Sequence, residues 1–276
     1  MKMSPTSLLS QTKLWLQKHQ IHVSKRLGQH FLIDEAILER ILQYANLKDD
    51  EQVLEIGSGT GVLTRALAEH TQHVFSIEQD SNLYRILSEE FSSNPRVTLF
   101  HGDAVKIRWP QCDRLVANLP YSISSPVLFR FYSSEIPSAV LMLQKEFAER
   151  LSAQPGSKQY GRLTVMTAYQ ASVELLEEVS PNSFYPPPKV SSAIVRLQRE
   201  MQPPFLVKDP ELFSRVTTAL FNQRRKKIRT PLQSLIGKHE FIELQAKLRW
   251  LDRRAEELSP EQIGYITNIL SEALKE

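Results

Sequence analysis

The sequence predicts an α/β protein: a mostly parallel sheet with helices on both faces, followed by a small all-helical domain. Three observations predict it. From Gln52 onward, short β-branched or apolar runs alternate with helix-like stretches at the spacing of βαβ units. A glycine-rich turn joins the first of these runs to a helix. Beyond the prolines at 203–204 the apolar pattern is helical to the end.

A helix is expected over 34–47, with Asp34 as its N-cap and Ile37, Leu38, Ile41 and Leu42 on its buried side. Strand-like runs follow at 52–57, 73–78, 96–101, 113–118 and 138–143, with helices at 61–70, 81–91 and 122–133 between them. Two helical stretches, 145–153 and 160–170, lead into strand-like runs at 172–179 and 190–197. The connection between those runs holds three consecutive prolines, which fix an extended backbone and cannot donate to a ladder. The two runs are expected to pair antiparallel at a sheet edge. Helices at 210–222, 231–236, 240–248 and 260–274 complete the chain. The expected division is therefore an α/β domain over 1–200 and a helical domain over 201–276.

Composition narrows the class. The 276 residues are 41% hydrophobic and 24% charged, with 9 Gly and 16 Pro, which excludes a disordered tail, a collagen-like repeat and a coiled coil. One cysteine, Cys112, excludes an intramolecular disulfide and a multi-cysteine zinc site, and reads as a small residue packed before a strand. No apolar run approaches the ~18 residues that cross a bilayer. The first twenty residues lack the pattern of a signal peptide and contain no arginine, so a cytoplasmic setting is expected.

The net charge of +3 conceals an uneven distribution. Residues 1–33 carry five basic and no acidic side chains; 34–200 carry 16 basic and 21 acidic; 201–276 carry 13 basic and 10 acidic. Basic ends around an acidic middle suit a small-ligand domain flanked by arms that hold a polyanion.

The first strand ends in Glu55-Ile56-Gly57-Ser58-Gly59-Thr60-Gly61, at the sheet edge where open α/β folds bind ligands. Glu78 ends the next strand, at the spacing of an acid that grips ribose hydroxyls. Val62 replaces the third glycine of a dinucleotide fingerprint and no Walker lysine is present, which disfavours a nicotinamide oxidoreductase and a phosphate ligand. The pattern looks like a site for S-adenosylmethionine, with Asp103 placed to accept from the adenine amine.

The fourth strand ends in Asn118-Leu119-Pro120-Tyr121. Methylating a planar exocyclic amine needs acceptors for its hydrogens, because its lone pair is delocalised into the ring. The Asn118 side-chain oxygen and the Leu119 carbonyl can accept them, Pro120 stiffens the turn, and Tyr121 can stack on the base. A base so treated must be unpaired or flipped from its stack.

Two basic stretches offer phosphate contacts. One is Arg224, Arg225, Lys226, Lys227 and Arg229, five cations within six positions; its plain alternative is a solvated helix end. The other is Lys25 and Arg26, followed by Leu27-Gly28-Gln29-His30-Phe31-Leu32, where Gln29 and His30 could fold over the cofactor.

Taken together, these residues resemble the bacterial ribosomal RNA small-subunit adenine dimethyltransferases, the KsgA family. The resemblance covers about residues 24–275 and rests on KRLGQHFL (25–32), EIGSGTG (55–61), GDA (102–104), NLPYSISSP (118–126), LMLQKE (141–146), YGRL (160–163), FYPPPKVSSAIVRL (184–197) and FNQRRKKIR (221–229). It implies a Rossmann-like S-adenosylmethionine-dependent methyltransferase sheet and a helical RNA-binding domain. It implies methylation, twice each, of two adjacent adenosines in the terminal hairpin of small-subunit (16S) ribosomal RNA. The substrate would be an immature subunit, the enzyme a monomer without a metal. By motif position, cofactor contacts would be His30, Leu32, Gly57, Glu78, Asp103 and Asn118. Two departures stand out: His30 where many relatives have Asn, and Thr230 where Asn often follows the basic run, bearing on one helix cap. Two rivals remain: the macrolide-resistance class that acts on large-subunit RNA, and a ribosome-assembly factor whose activity is secondary or lost.

Overall fold

The computed structural model describes residues 7–24, 27–200 and 202–274. They form two compact units, one of residues 1–148 and 173–199, the other of 149–172 and 200–276.

The first unit is built on a seven-stranded sheet. Its strands are β2 (Gln52–Ile56), β3 (His73–Glu78), β4 (Val97–His101), β5 (Arg114–Asn118), β6 (Ser138–Gln144), β7 (Ala171–Val179) and β9 (Ser192–Arg199), in the spatial order β4-β3-β2-β5-β6-β9-β7. The first five pair in parallel and β9 runs antiparallel to β6. β7 lies outermost beside β9, so the strand-like runs at 172–179 and 190–197 do share a sheet edge. β2 and β6 are buried along almost their whole length, as strands covered on both faces must be. β7 is protected instead by charge: Glu174 pairs with Arg196, Glu177 with Arg40 and Glu178 with Lys145.

Helix α2 (Glu35–Ala45) starts where Asp34 accepts from the Ile37 N–H, and it buries Ile37 and Ile41 while Leu38 and Leu42 pack at the core margin. α3 (Val62–Glu69), α4 (Ser81–Glu90) and α5 (Ser124–Tyr132) connect successive strands. The order reverses between β2, whose chain turns towards β3, and β5, whose chain turns towards β6. The carboxyl ends of β2 and β5 therefore flank the crevice where such sheets bind ligands.

Two elements have no counterpart in the expected pattern. Helix α1 (Leu8–Lys18) is capped by Ser7 and buries Leu8, Thr12 and Leu16, with the Trp15 indole donating to Glu90 at 2.6 Å. A two-residue ladder pairs β1 (Phe31–Leu32) with β8 (Phe184–Tyr185), just before the cis Tyr185–Pro186 bond.

The second unit is helical: α7 (Arg162–Gln170), α8 (Pro210–Asn222), α9 (Arg229–Ile236), α10 (Lys238–Leu244) and α11 (Pro260–Ala273). The short α6 (Lys145–Glu149) ends where the chain enters it. A cut at residue 200 would leave α7 with the sheet, yet α7 belongs to the helical unit. The reason is packing: Leu163, Val165, Met166 and Tyr169 are all buried, and the Tyr169 ring meets Phe205 and Phe213 at 5.3 and 5.1 Å between centroids. The proline break marks a linker but not the partner of the helix before it. Thr230 lies inside α9 rather than capping it.

Among the described residues no helix is long and apolar enough to cross a membrane, and no group of three or more His, Cys, Asp or Glu side chains could hold a metal. Cys112 is buried, and burial, with the Asp113 charge behind it, pushes its thiol up to about 12. At neutral pH it is a packed thiol.

Candidate active site

Glu55 forms the floor of the site. It is fully buried, and its Oε2 accepts from Thr64 Oγ1 and Ser76 Oγ, both at 2.6 Å. Ser76 has one hydroxyl hydrogen and gives it to Glu55, so Ser58 donates to Ser76 in the 2.6 Å contact between them. Glu55 Oε1 is buried without a partner. Burial raises the carboxyl to about 7, against the pull of the two hydroxyls and with a smaller push from the Glu78 charge.

The glycine turn above it has to be glycine. Gly57 sits at φ 86°, and a Cβ there would stand 3.3 Å from Pro120 Cδ. Gly61 sits at φ 74°, and a Cβ would reach 2.9 Å from Leu87. Glu78 closes the turn: its Oε2 accepts the Gly59 N–H at 3.0 Å and its Oε1 the Asp80 N–H at 2.9 Å. Burial raises the Glu78 carboxyl above its ordinary range, although these amides oppose it. Each oxygen keeps a second lone pair for a ligand hydroxyl.

The segment 27–32 forms one wall. Gln29 accepts the Ser24 N–H and donates to Asp80, while His30 Nδ1 lies 2.7 Å from the Pro186 carbonyl. A carbonyl only accepts, so that nitrogen carries the hydrogen. The Phe31 ring lies against Gly59.

The tip after β5 closes the site. The Asn118 Nδ2 donates to the His30 carbonyl at 3.3 Å, which turns its Oδ1 the other way. The Leu119 N–H donates to the Met142 carbonyl, and the Tyr121 hydroxyl meets Ser192 Oγ at 2.7 Å. Burial raises the Tyr121 phenol, and the Ser192 hydrogen bond works against that.

These parts surround one cavity of about 400 Å³. His30, Leu32, Gly57, Glu78, Asn118, Leu119, Pro120 and Tyr121 all line it. Asp103 does not, although its neighbours Gly102 and Ala104 do: its Oδ1 accepts the Val105 N–H and its Oδ2 faces Lys106, so the carboxylate shapes the loop. Gln79, Ile77 and Leu83 line the cavity without having been singled out; adjacency to the end of β3 was the available signal.

The lining suits S-adenosylmethionine. It holds two buried carboxylates, one with an unpartnered oxygen, and among the described residues no lysine or arginine. That is a poor setting for phosphates and a good one for a cationic sulfonium with ribose hydroxyls.

Lys25 and Arg26 lie outside the described residues. The basic run is divided in its duties. Arg224 donates to Glu256 at 2.6 Å and to the carbonyls of Lys158 and Ser157, which ties three parts of the helical unit together. Lys227 and Arg229 both reach Asp252 at 3.2 Å. Arg225 and Lys226 are exposed and pair with no acid among the described residues.

Residues 20–272 match the family model described as ribosomal RNA adenine dimethylase. A ribosomal RNA small subunit methyltransferase A from Clostridium botulinum (strain Okra / Type B1) is 39% identical over 273 residues, covering 95% of this chain and 99% of that protein. A probable ribosomal RNA small subunit methyltransferase A from the archaeon Thermococcus gammatolerans is 40% identical, covering 90% of this chain and 89% of that one. Close relatives thus extend beyond bacteria. Among solved structures, a dimethyladenosine transferase from Plasmodium falciparum superposes with a TM-score of 0.77 at 28% identity, covering 88% of this chain and 98% of its own. The 23S rRNA methyltransferase ErmE superposes with a TM-score of 0.64 at 30% identity, covering 87% and 99%. With its Rossmann-like sheet, phosphate-averse pocket and Asn-Leu-Pro-Tyr tip, the chain belongs to the ribosomal RNA adenine dimethylase family of S-adenosylmethionine-dependent methyltransferases.

Proposed function

We propose that this enzyme methylates, twice each, the N6 amines of two adjacent adenosines in the 3′-terminal hairpin of small-subunit (16S) ribosomal RNA, acting as a monomer on an immature subunit late in its assembly. The observation that carries the reading is the placement of the Asn118–Tyr121 tip and the Glu55–Glu78 floor around a single cavity. The names of the curated relatives from Clostridium botulinum and Thermococcus gammatolerans support small-subunit over large-subunit RNA.

S-adenosylmethionine, when bound, supplies an electrophilic methyl group on a positively charged sulfur. Gly57, Glu78, Leu32, His30 and Asn118 would hold that cofactor, with the Asp103 loop contributing Gly102 and Ala104 to the lining. Asn118 Oδ1 and the Leu119 carbonyl accept the hydrogens of the target amine, which localises the nitrogen lone pair for attack. Tyr121 stacks on the flipped base and Pro120 keeps the tip from swinging. No strong general base is needed, because the ammonium formed after attack is acidic and gives its proton to solvent. No step calls for a metal.

The helical unit supplies the RNA contact, with Arg225 and Lys226 as its exposed phosphate ligands and Lys227 and Arg229 beside them. Lys25 and Arg26 share that phosphate-binding role.

The deciding experiment incubates the enzyme with labelled S-adenosylmethionine and unmethylated small subunits. Dimethyladenosine in the small-subunit RNA is the expected product. Label confined to large-subunit RNA would select the macrolide-resistance activity, and absence of label in both would favour a pure assembly factor.

A further inference from the structure

The Tyr121 side chain is held from two sides by residues outside its own turn. Its hydroxyl meets Ser192 Oγ at 2.7 Å, and Ser192 is fully buried as the first residue of β9. Its ring faces the His30 imidazole, with centroids 5.8 Å apart and planes 29° from parallel. Both holders are fixed by the proline-rich return segment. His30 gives its Nδ1 hydrogen to the Pro186 carbonyl, and Ser192 begins the strand that pairs with Gln144 directly after that segment. The neighbouring Ser191 carbonyl accepts the Lys145 N–H at 3.0 Å, so the start of β9 cannot drift.

We propose that Ser192 and His30 are positioning residues that clamp the Tyr121 ring in the orientation from which it stacks on the target base. The inference rests on the stacking role given to Tyr121 above. A tyrosine has two side-chain torsions. A hydrogen bond at the hydroxyl restrains the far end of the ring, and an aromatic neighbour restrains its face, so the ring is set before the base arrives. The FYPPPKVSS segment thereby contributes to methyl transfer without touching the substrate. His30 gains a second meaning too: a ring at this position offers Tyr121 a flat neighbour that an asparagine would not.

The test is a double-mutant cycle on the intact chain, reading kcat and the KM for S-adenosylmethionine separately. Tyr121→Phe and Ser192→Ala are each expected to lower kcat about 3- to 10-fold, the loss of one hydrogen bond, while leaving that KM within about 2-fold. The double variant is expected to be no worse than either single one, because both remove the same bond. His30→Ala lowers kcat in the Ser192→Ala background as well, because it removes the second restraint. Should Ser192→Ala fail to fold, Ser192→Cys keeps the volume and takes its place. Multiplying losses in the Tyr121–Ser192 cycle, or wild-type kcat in Ser192→Ala, would overturn the clamp. Tyr121→Ala separates this from failure of the underlying reading: full activity there removes the stacking role itself, whereas an inactive Tyr121→Ala beside a fully active Ser192→Ala removes only the clamp.

Discussion

Pro120 leans against Gly57: a β-carbon added to that glycine would stand 3.3 Å from the proline Cδ, and the Asn118 carbonyl would lie at 3.8 Å. The glycine turn after β2 and the tip after β5 thus leave no free room for a side chain between them. Gly57→Ala imposes both a left-handed backbone on an L-residue and a push on Pro120. It should destabilise the fold by about 1–3 kcal/mol and weaken S-adenosylmethionine binding. Urea melts and titration calorimetry check the two effects.

Glu55 should leave a signature in the dependence of stability on pH. Its folded pKa of about 7 lies above the ordinary 4.5. Below about pH 4.5 the carboxyl is protonated in both states and costs nothing. As pH rises towards 7 the unfolded chain releases a proton that the folded chain retains, so stability falls; above 7 the penalty is constant, on the order of a few kcal/mol. Glu55→Gln keeps an acceptor for Thr64 and Ser76 and cannot ionise. Urea melts from pH 4 to 8 should show the variant gaining on the wild type through that window, and parallel profiles would contradict the assignment.

Asn118→Ala should lower kcat by about 100-fold or more while subunit binding stays largely intact, because it removes the acceptor proposed for the reacting amine. Single-turnover methylation measures the first quantity and filter binding the second. An active variant would place the amine's acceptors elsewhere.

The cations of the 224–229 run should separate by experiment. Arg225→Glu with Lys226→Glu should weaken RNA binding and reduce the slope of log K against log salt by about 1 per cation. Arg224→Ala should instead lower the stability of the helical unit by about 1–3 kcal/mol, since it abandons Glu256 and two carbonyls, and should leave the salt slope nearly unchanged.

The N-terminal helix should matter to the pocket wall. Leu16 packs with Phe31 and Leu83, which line the cavity. Leu16→Ala should cost about 2–4 kcal/mol and raise the KM for S-adenosylmethionine, measured by thermal melts and initial rates.

What could be read from the chain was local. The β2–β6 runs and the helices between them carry their periodicity within ten residues, and Asn118–Tyr121 and the glycine turn are contiguous motifs that proximity alone delivers to one sheet edge. What escaped depends on distant partners. Helix α1 is fixed by a Trp15–Glu90 bond across 75 positions, and its amphipathic stretch has no motif of its own. Arg224 reads like its basic neighbours until Glu256 is placed beside it. Asp103 is the local exception: it follows a strand end, as a ligand-binding acid would, and its carboxylate accepts the Val105 N–H only two residues on.

The His30–Pro186 bond joins residues 156 positions apart, and the β1–β8 ladder spans nearly the same interval. A chain growing from its N-terminus makes Gly57, Glu78 and Asn118 long before it makes Pro186. The wall over the cofactor pocket is therefore the last part of the site to exist during synthesis. A nascent chain can lay down the floor of its pocket early, but it cannot finish the site until the return segment has been made.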